Sequence, residues 1–385
     1  MNIFVIGTGM GDTKILTVSA KEKIENADII IGAKRVVEPF AVGSKKVFSE
    51  YNAEKIAEII KNNPCENASV LFSGDASFFS GARKLLKLFP AAQIEAGISC
   101  VSYFCAKTGL AYDDMNIVSM HGRECNIVSE VRGHKKTFAL LGENPCKKLC
   151  RFGLGGTEVY IGENLSYGNE RILHGKAADF AETKIAPLSV MIIVNENYDN
   201  RVRIGINDDE FITGKAPMTK SSVRAVSVSK LEIKPDDICY DVGAGTGSVS
   251  IEMALLCPKG KVYAVEKKSD AAELIEENAV KFMADNIEVI QGEAPVALDG
   301  LPKADKVFIG GSSGNIAEII RKCDCPKVVV NAITLETLEG TLKAFDEQGY
   351  TYEVTQISAA YGRKVAGYNM MTAQNPVFVI SGEKL

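Results

Sequence analysis

The sequence predicts an α/β protein built from two domains. Short apolar runs typical of buried strands alternate with helical patterns along the chain. Two glycine-rich loops, at residues 7–12 and 243–247, each follow such a run directly. The length of 385 residues is also too great for one ordinary domain, because most domains span about 100–200 residues.

The bulk composition narrows the classes of protein and partner. Hydrophobic residues make up 46% of the chain and charged residues 24%, which are values of a globular protein. The net charge of −5 offers no overall basic field, so we expect no nucleic-acid partner. Apolar runs stay below the ~18 residues of a membrane span, and the first residues enter a strand rather than a signal peptide. We therefore expect a cytoplasmic protein without a membrane partner.

Cysteine and histidine usage argues against a metal site. The ten cysteines are scattered without two C-x-x-C pairs, and there are only three histidines. We expect free thiols, largely buried, in a reducing compartment, and no bound metal.

The first half of the chain begins with an apolar strand at residues 3–6 that leads into the loop GTGMGD. Further strands are predicted at residues 28–31, 69–72, 93–95, 117–119, 136–141, 158–162 and 187–195. Helices are predicted at 17–26, 51–61, 85–89 and 103–107. The polar, turn-rich residues 196–212 mark a boundary, so we predict domains at 1–200 and 210–385.

The second half is organised around residues 238–266, ICYDVGAGTGSVSIEMALLCPKGKVYAVE. An apolar strand ends in Asp241, three glycines alternate from residue 243, a helical pattern follows, and a second strand ends on Glu266. This order predicts a nucleotide-binding βαβ unit, because glycine lets the backbone turn tightly and approach a ligand closely. A carboxylate at the position of Glu266 can accept both hydroxyl protons of a ribose.

The rest of this half continues the alternation of strands and helices. One helix is predicted to end at residue 231, and further helices are predicted at 270–285, 316–321 and 334–348. Strands are predicted at 287–290, 307–309, 327–331, 352–357 and 376–380. The helix after Glu266 carries alternating charges, which indicate a solvated face.

The pattern D-x-G-x-G-x-G from Asp241 resembles the first motif of the class I S-adenosylmethionine (SAM) methyltransferases. Enzymes that bind a dinucleotide instead use G-x-G-x-x-G, and a purely structural turn is the other alternative. The resemblance implies a Rossmann-like domain with a seven-stranded sheet, with an acid in front of the loop that can face the methionine ammonium. It implies cofactor contacts at Thr219, Asp241, Gly243, Ala244, Gly245, Thr246, Gly247, Glu266, Glu293, Ala294 and Gly310.

Thr219, Lys220 and Arg224 lie before and on the first helix of this domain. One hydroxyl and two cations there could bind the cofactor carboxylate and an anionic substrate. The alternative is a set of solvated surface charges. Gly310 and Gly311 end the strand at which substrate and methyl group should meet.

Five motifs of the first half occur in an order that resembles the tetrapyrrole methylases, the class III SAM enzymes. They are GTGMGD, SGDASFFSGA, AGISC, SMHGR and APLSVMII. The resemblance implies a two-lobed α/β fold with SAM folded between the lobes and the first glycine loop next to the substrate. It implies cofactor contacts at Gly74, Asp75, Ser77, Ser102, Leu141, Ala186 and Pro187.

His121 and Arg123 lie in a short polar turn at a predicted strand end. His121 is a candidate general base, because the pKa of histidine lies near working pH; a hydrogen-bonded loop histidine is the alternative. The planar guanidinium of Arg123 suits a substrate carboxylate.

The fusion of these two domain types is similar to that of the bifunctional precorrin methyltransferases of cobalamin biosynthesis. The resemblance implies a homo-oligomer that methylates carbons 5 and 15 of a tetrapyrrole and decarboxylates the ring C acetate. Two alternatives stay open: a fused methyltransferase acting on RNA, protein or another substrate, and a regulatory module that only binds SAM. The sequence leaves open whether the substrate contains cobalt and which methylation comes first.

Overall fold

The structure is a computed structural model that describes residues 1–41 and 45–384. The chain divides into two compact units, which are described separately. Unit 1 comprises Met1–Cys125, His134–Lys147 and Gly156–Glu196. Unit 2 comprises Asn126–Gly133, Lys148–Gly155 and Asn197–Leu385. The domain bounds predicted from the sequence stay a prediction.

The first lobe of unit 1 is a parallel sheet with helices on both faces. Its strands are β1 (Asn2–Gly7), β2 (Ile29–Gly32), β3 (Lys46–Ser49), β4 (Asn67–Phe72) and β5 (Gln93–Glu95), in the order β3-β2-β4-β1-β5. Its helices are α1 (Val18–Glu25), α2 (Lys34–Val37), α3 (Ala53–Asn62) and α4 (Ala82–Leu88). Ile3 and Val5 pack into one core cluster and Phe4 and Ile6 into another. Both faces of β1 are covered, which is why its sequence is a continuous apolar run.

The second lobe of unit 1 is a mixed sheet. Its strands are β6 (Asn116–Ser119), β7 (Lys136–Leu140), β8 (Glu158–Glu163), β9 (Arg171–Lys176) and β10 (Ser189–Val194), in the order β6-β7-β10-β8-β9. Strands β6 and β7 are parallel and the other pairs are antiparallel. Helix α5 (Cys100–Thr108) begins at the side-chain cap of Ser99 and buries Phe104 against Phe138 and Ile192. The predicted two-lobed architecture is confirmed.

Unit 2 contains a seven-stranded sheet. Its strands are β11 (Ile238–Val242), β12 (Lys261–Glu266), β13 (Ile287–Gln291), β14 (Lys306–Ile309), β15 (Lys327–Ala332), β16 (Thr351–Ile357) and β19 (Val377–Glu383), in the order β13-β12-β11-β14-β15-β19-β16. Only β19 runs antiparallel to its neighbours. A separate hairpin consists of β17 (Ala360–Val365) and β18 (Tyr368–Ala373). The predicted seven-stranded Rossmann-like sheet is confirmed.

Helices cover both faces of this sheet. They are α8 (Ser221–Leu231), α9 (Ser248–Leu256), α10 (Ser269–Lys281), α11 (Ile316–Cys323) and α12 (Leu335–Gln348). Side chains from alternate strand positions enter opposite core clusters: Tyr240 joins the α11 and α12 side, and Cys239 joins the α8 and α9 side. The strand order reverses beside β11, so its carboxyl end lies at the switch point where open α/β sheets bind ligands.

Unit 2 also includes two stretches from the first half of the sequence. Helix α6 (Ile127–Gly133) belongs to one stretch, and part of α7 (Cys146–Arg151) belongs to the other. The buried carboxylate of Asp285 accepts the backbone N–H groups of Val128 and Ser129 at 3.1 and 3.0 Å. Lys148 lies 2.8 Å from the same carboxylate. An acidic group at the first turn of a helix satisfies free backbone donors and opposes the helix dipole.

Several elements differ from the sequence prediction. Strands β3 and β9, helices α2, α6 and α7, and the β17–β18 hairpin are not in the prediction. The hairpin is exposed at nearly every position, so it carries no alternation of buried and exposed residues. Within residues 1–41 and 45–384, no helix is long and apolar enough to cross a membrane.

Candidate functional site

The glycine loop of unit 2 follows β11 and forms a cradle that only glycine permits. Gly243, Gly245 and Gly247 have φ angles of 73°, 57° and 75°. Side chains rarely adopt this left-handed backbone. A Cβ atom on Gly243 would lie 2.6 Å from the carbonyl oxygen of Gly311. The loop therefore brings its backbone against the end of β14 with no room for a side chain.

A cleft opens between this loop and the ends of β12, β13 and β14. Its lining includes Pro217, Gly243, Glu266, Lys267, Lys268, Gly292, Glu293, Ala294, Gly310, Gly311, Ser312 and Ser313. This lining combines glycine backbone and small residues with charged side chains. Of the predicted cofactor contacts, the lining includes Gly243, Glu266, Glu293, Ala294 and Gly310.

Glu266 is held in place by the loop that it faces. Its Oε2 accepts the N–H of Gly245 at 2.9 Å, and its Oε1 accepts the N–H of Lys268 at 3.0 Å. Two backbone bonds use only part of the acceptor capacity of a carboxylate. Glu266 can therefore still accept hydroxyl groups of a ligand in the cleft.

Asp241 is not among the residues that line the cleft. Its side chain is fully buried, and Oδ2 accepts the hydroxyl of Ser250. Oδ1 has no hydrogen-bond partner among the residues that the structure describes. Burial raises the pKa of Asp241 to about 7, the negative charge of Glu266 adds to this, and Ser250 opposes it. Its role as a cofactor contact stays a prediction.

Three other predicted contacts are internal to the loop. Gly245, Thr246 and Gly247 are buried and are absent from the lining of the cleft. A Cβ atom on Gly247 would lie 3.0 Å from Ile275 of α10, so this glycine allows the helix to pack closely. These three residues shape the loop, and their roles as cofactor contacts stay predictions.

Glu293 lies at the outer edge of the cleft. Its side chain is half exposed and lies 3.6 Å from Nζ of Lys267, which also donates to Ser313 at 2.7 Å. The adjacent Ala294 is buried. Polar side chains therefore lie at this edge of the cleft, next to the buried apolar residue Ala294.

A second pocket adjoins the cleft and shares Pro217, Gly243 and Gly310 with it. Its lining also includes Met218, Thr219, Lys220, Ser222, Ala244, Asn331, Ile333, Tyr361, Gln374 and Asn375. Thr219, Lys220 and Ala244 were predicted, whereas Tyr361 and Asn375 come from around the hairpin that the sequence did not predict. The hydroxyl groups of Tyr361 and Ser222 are 2.6 Å apart.

Lys220 reaches this second pocket as a half-exposed cation. It occupies the N-cap position of α8 without a side-chain capping hydrogen bond, and its Nζ lies 3.4 Å from Asp208. Such an exposed ion pair is weak, so the ammonium remains available to a carboxylate ligand.

Arg224 lines neither pocket, so its position does not support the predicted contact with an anionic ligand. Its side chain is completely buried and donates through Nε to Glu252 at 2.6 Å. The remaining guanidinium nitrogens donate to the carbonyl oxygens of Thr219 and Ile206. The ring of Phe211 covers the guanidinium with its centroid 4.8 Å away. With its donors used inside the protein, Arg224 is a structural residue.

In unit 1 the glycines of three sequence motifs meet where β1, β4 and β5 end. A Cβ atom on Gly7 would lie 2.7 Å from the carbonyl oxygen of Gly74 and 2.8 Å from the nitrogen of Gly97. Gly9 and Gly74 also exchange backbone hydrogen bonds of 3.1 and 2.7 Å. The motifs thus need glycine for one shared reason, the close approach of three backbones.

Asp75 fixes the loop that follows β4. Its Oδ2 accepts the N–H of Gly97 at 3.0 Å, and its Oδ1 accepts the N–H of Ser77 at 2.7 Å as well as the Ser77 hydroxyl. Partial burial acts to raise the pKa of Asp75, but these hydrogen bonds outweigh it and hold the pKa below its ordinary value. The carboxylate is therefore stable as an anion at this position.

Next to this junction, unit 1 contains a cavity between its two sheets. The lining includes Met10, Arg35, Ser73, Gly74, Asp75, Phe78, Phe79, His121, Arg123, Leu141, Tyr167, Pro187 and Leu188. The predicted contacts Gly74, Asp75, Leu141 and Pro187 are among these residues, and so are His121 and Arg123. Arg35 and Tyr167 were not predicted, since neither belongs to a recognisable motif.

Ser77, Ser102 and Ala186 do not line the cavity. Ser77 is bonded to Asp75, the N–H of Ser102 donates to Ser99 at 3.2 Å, and the N–H of Ala186 donates to Glu163 at 3.0 Å. These residues stabilise neighbouring turns. Their roles as cofactor contacts stay predictions.

His121 and Arg123 are exposed at the rim of this cavity. The guanidinium carbon of Arg123 lies 5.7 Å from the centre of the Phe79 ring. A cation placed over an aromatic face stays charged and available to an anion. The general-base role of His121 stays a prediction.

Comparisons with known proteins cover both halves of the chain. The tetrapyrrole (corrin/porphyrin) methylases match residues 2–181, and the precorrin methyltransferase domain matches residues 210–384. A probable cobalt-precorrin-6B C(15)-methyltransferase (decarboxylating) of Pyrobaculum calidifontis is 42% identical over 184 residues, which are 46% of this chain and 94% of the relative. The protein of the same name from Saccharolobus solfataricus is 41% identical over 195 residues, 48% of this chain and 98% of the relative.

Solved structures include the precorrin-6y C5,15-methyltransferase of Geobacter metallireducens. It is 41% identical, with a TM-score of 0.45, and the alignment covers 47% of this chain and 97% of that chain.

Proposed function

We propose that the two sites are two methyl-transfer centres for one tetrapyrrole, because the chain belongs to the precorrin methyltransferase family and carries a tetrapyrrole methylase domain. Unit 1 would methylate carbon 5 of a corrin precursor. Unit 2 would methylate carbon 15 and remove the carboxyl group of the ring C acetate. We assign the decarboxylating reaction to unit 2 because the precorrin methyltransferase match lies at residues 210–384 and the relatives are named for that reaction.

The observation that carries the proposal is the junction of two pockets in unit 2. A cleft suited to a nucleoside meets a pocket suited to a larger, anionic ligand at Pro217, Gly243 and Gly310. The methyl group of a donor must contact the acceptor carbon for transfer, and two adjoining pockets permit this contact.

The residues of the cleft fit SAM. Glu266 has free acceptor positions for the ribose hydroxyl groups, and Ala294 with Gly292 offers an apolar and backbone surface for adenine. The glycine loop lets the methionine part lie against the backbone, where a Cβ atom would clash. In unit 1, Gly74, Asp75, Leu141 and Pro187 line a comparable cavity. When bound, SAM supplies an electrophilic methyl group.

The chain's own contribution to methyl transfer is alignment and exclusion of water. A reduced tetrapyrrole is an electron-rich carbon nucleophile, so the reaction needs no strong base from the protein. One carbon–carbon bond forms as the methyl–sulfur bond breaks, and the sulfur keeps the electron pair. Positioning two reactants and removing solvent from them lowers such a barrier substantially.

Decarboxylation in unit 2 requires control of the acetate arm. The bond between the carboxyl carbon and the arm breaks, carbon dioxide leaves, and the electron pair passes into the conjugated ring, which later takes up a proton. The ammonium of Lys220 lies in the second pocket and can hold neighbouring carboxylates of the substrate. Tyr361 and Ser222 place a hydroxyl pair at the same wall.

The protein is proposed to act in the cytoplasm. All ten cysteines carry free thiols, which supports a reducing compartment.

A turnover experiment tests the proposal. The full chain is incubated with SAM and precorrin-6B, with and without cobalt, and the products are weighed by mass spectrometry. We expect a gain of two methyl groups and the loss of one carbon dioxide per macrocycle, with the cobalt comparison giving the metal preference. Binding of SAM without any change in either macrocycle would refute the proposal and favour a regulatory module or another substrate.

A further inference from the structure

Arg35 lines the unit 1 cavity without an acidic partner. Its Nη1 donates to the hydroxyl oxygens of Tyr167 and Ser73 at 3.0 and 3.4 Å. The side chain is exposed. Within the described part of the chain, it forms no ion pair with a carboxylate. A permanently charged guanidinium held only by neutral hydroxyl groups can still bind an anion.

Six other arginines of the described residues have a different environment. The arginines that form ion pairs with acidic side chains are Arg151, Arg171, Arg201, Arg203, Arg224 and Arg321. Arg35 and Arg123 instead contact hydroxyl groups and an aromatic ring, and both line one cavity. Two cations without acidic partners in one cavity indicate a ligand with several negative charges.

Tyr167 is held firmly enough to orient Arg35. Its ring lies directly over Gly11, where a Cβ atom would be 2.6 Å from the ring carbons. The neighbouring Ser166 accepts the N–H of Asp12 at 3.1 Å and donates its own N–H to Glu170 at 2.7 Å. The packing of the Tyr167 ring on Gly11 and the two hydrogen bonds of Ser166 fix this loop. The phenol oxygen of Tyr167 therefore has a defined position from which to orient the guanidinium of Arg35.

We propose that Arg35, oriented by Tyr167, binds one carboxylate arm of the tetrapyrrole in unit 1, while Arg123 binds another. The inference rests on the proposed function and deepens it by naming the residues that recognise the substrate. SAM carries a sulfonium and an ammonium against a single carboxylate, so two cations do not favour it. A tetrapyrrole with several acetate and propionate arms matches them.

Steady-state kinetics of the full chain tests the inference. Unit 1 activity is read separately in a Gly243→Ala background, in which unit 2 should be inactive and the product should gain one methyl group without losing carbon dioxide. For Arg35→Ala we expect the KM for cobalt-precorrin-6B to rise about tenfold, since a hydrogen bond to a charged group is lost. We expect kcat to change less than about twofold and the Kd for SAM to stay constant, because Arg35 holds the substrate rather than the reacting atoms.

Two milder variants keep the test independent of folding. Arg35→Lys retains the charge but loses the two-pronged geometry, so we expect about a threefold rise in KM. Tyr167→Phe should also raise KM about threefold, since it removes the neutral acceptor that orients Arg35. The matched control is Arg83→Ala, which removes an exposed arginine of α4 that does not line the cavity.

The outcomes separate this inference from the proposed function. If Arg35→Ala raises KM no more than Arg83→Ala, or if the Kd for SAM rises together with KM, the inference is overturned and the proposed function stands. If wild-type unit 1 binds SAM but methylates no tetrapyrrole, both are overturned.

Discussion

The guanidinium of Arg224 and the carboxylate of Glu252 form an ion pair of 2.6 Å in which both side chains are completely buried. Glu252 also accepts the N–H groups of Gly205 and Ile206, both at 2.9 Å. The pair therefore fastens residues 205–206 to helices α8 and α9. Because of this ion pair, Arg224, which the sequence suggested as a ligand contact, is part of the core of unit 2.

Replacement of Arg224 should destabilise unit 2. For Arg224→Met we expect the free energy of unfolding to fall by about 3–5 kcal/mol, because the Glu252 carboxylate would remain buried without its partner. Lys220→Met is the matched control, since it removes an exposed partner of Asp208 and should cost less than about 1 kcal/mol. Chemical denaturation followed by circular dichroism measures both. An Arg224→Met protein with wild-type stability but a raised substrate KM would contradict this account.

Asp241 should make the stability of unit 2 depend on pH. Its pKa is raised by burial from 3.8 to about 7, so the folded state binds the proton more tightly than the unfolded state. The contribution of Asp241 to the free energy of unfolding is therefore greatest below about pH 4, and it is lost as the pH rises towards 7.

Asp241→Asn mimics the protonated carboxyl and should remove this dependence. We expect its stability relative to wild type to increase by on the order of 1 kcal/mol per pH unit between about pH 4 and 7, and to level off above. Parallel denaturation curves across this pH range provide the measurement. An equal difference at every pH would show that the carboxyl is ionised throughout.

Glu266 should contribute directly to SAM binding in unit 2. Glu266→Gln keeps the size of the side chain but removes the charge that strengthens hydrogen bonds to hydroxyl groups, so we expect the Kd at one site to rise about tenfold. Isothermal titration of the full chain reports both sites, and the second should be unaffected. Glu273→Gln is the control, since it changes an exposed carboxylate of α10 that does not line the cleft; equal effects of the two variants would argue against a ribose contact at Glu266.

Lys220 should affect substrate affinity in unit 2 more than the rate of chemistry. For Lys220→Ala we expect the KM of the decarboxylating reaction to rise about fivefold, because the half-exposed ammonium would lose a carboxylate partner. Release of carbon dioxide measures the reaction. Lys215→Ala removes a nearby exposed lysine that does not line the pocket, and a comparable effect from it would make the contribution of Lys220 nonspecific.

The parts of the fold that follow from the sequence are those with a strong local signal. Buried parallel strands such as β1 and β11 are continuous apolar runs, and the glycine loops after them mark the edge of the sheet where ligands bind. The hairpin β17–β18 has no such signal, since its residues are exposed on both faces. Tyr361 was therefore missed although it lines a pocket.

The functional residues were predictable only where a motif fixes them. Glu266 follows a strand end and lines the cleft, as expected. The complete burial of Asp241 and Arg224 was not predictable, because sequence spacing gives the position of a residue along an element but not the depth to which its side chain is buried. Arg35 was missed because its environment depends on Tyr167, which lies 132 residues away in the chain and which no local sequence pattern connects to it.

The most direct test of the central claim compares two glycine variants with wild type in one assay. Gly7→Ala would place a Cβ atom within 2.7 Å of the Gly74 backbone in unit 1, and Gly243→Ala would place one within 2.6 Å of Gly311 in unit 2. Gly156→Ala is the control, because nothing lies within 4 Å of its Cβ position. Each protein is incubated with SAM and cobalt-precorrin-6B, and the product is weighed.

We predict that Gly7→Ala gives a product with one added methyl group and one lost carbon dioxide. Gly243→Ala should give one added methyl group with no loss of carbon dioxide, and Gly156→Ala should behave as wild type. If Gly243→Ala still decarboxylates the macrocycle, or if either glycine variant still adds both methyl groups, the assignment of one reaction to each unit is wrong.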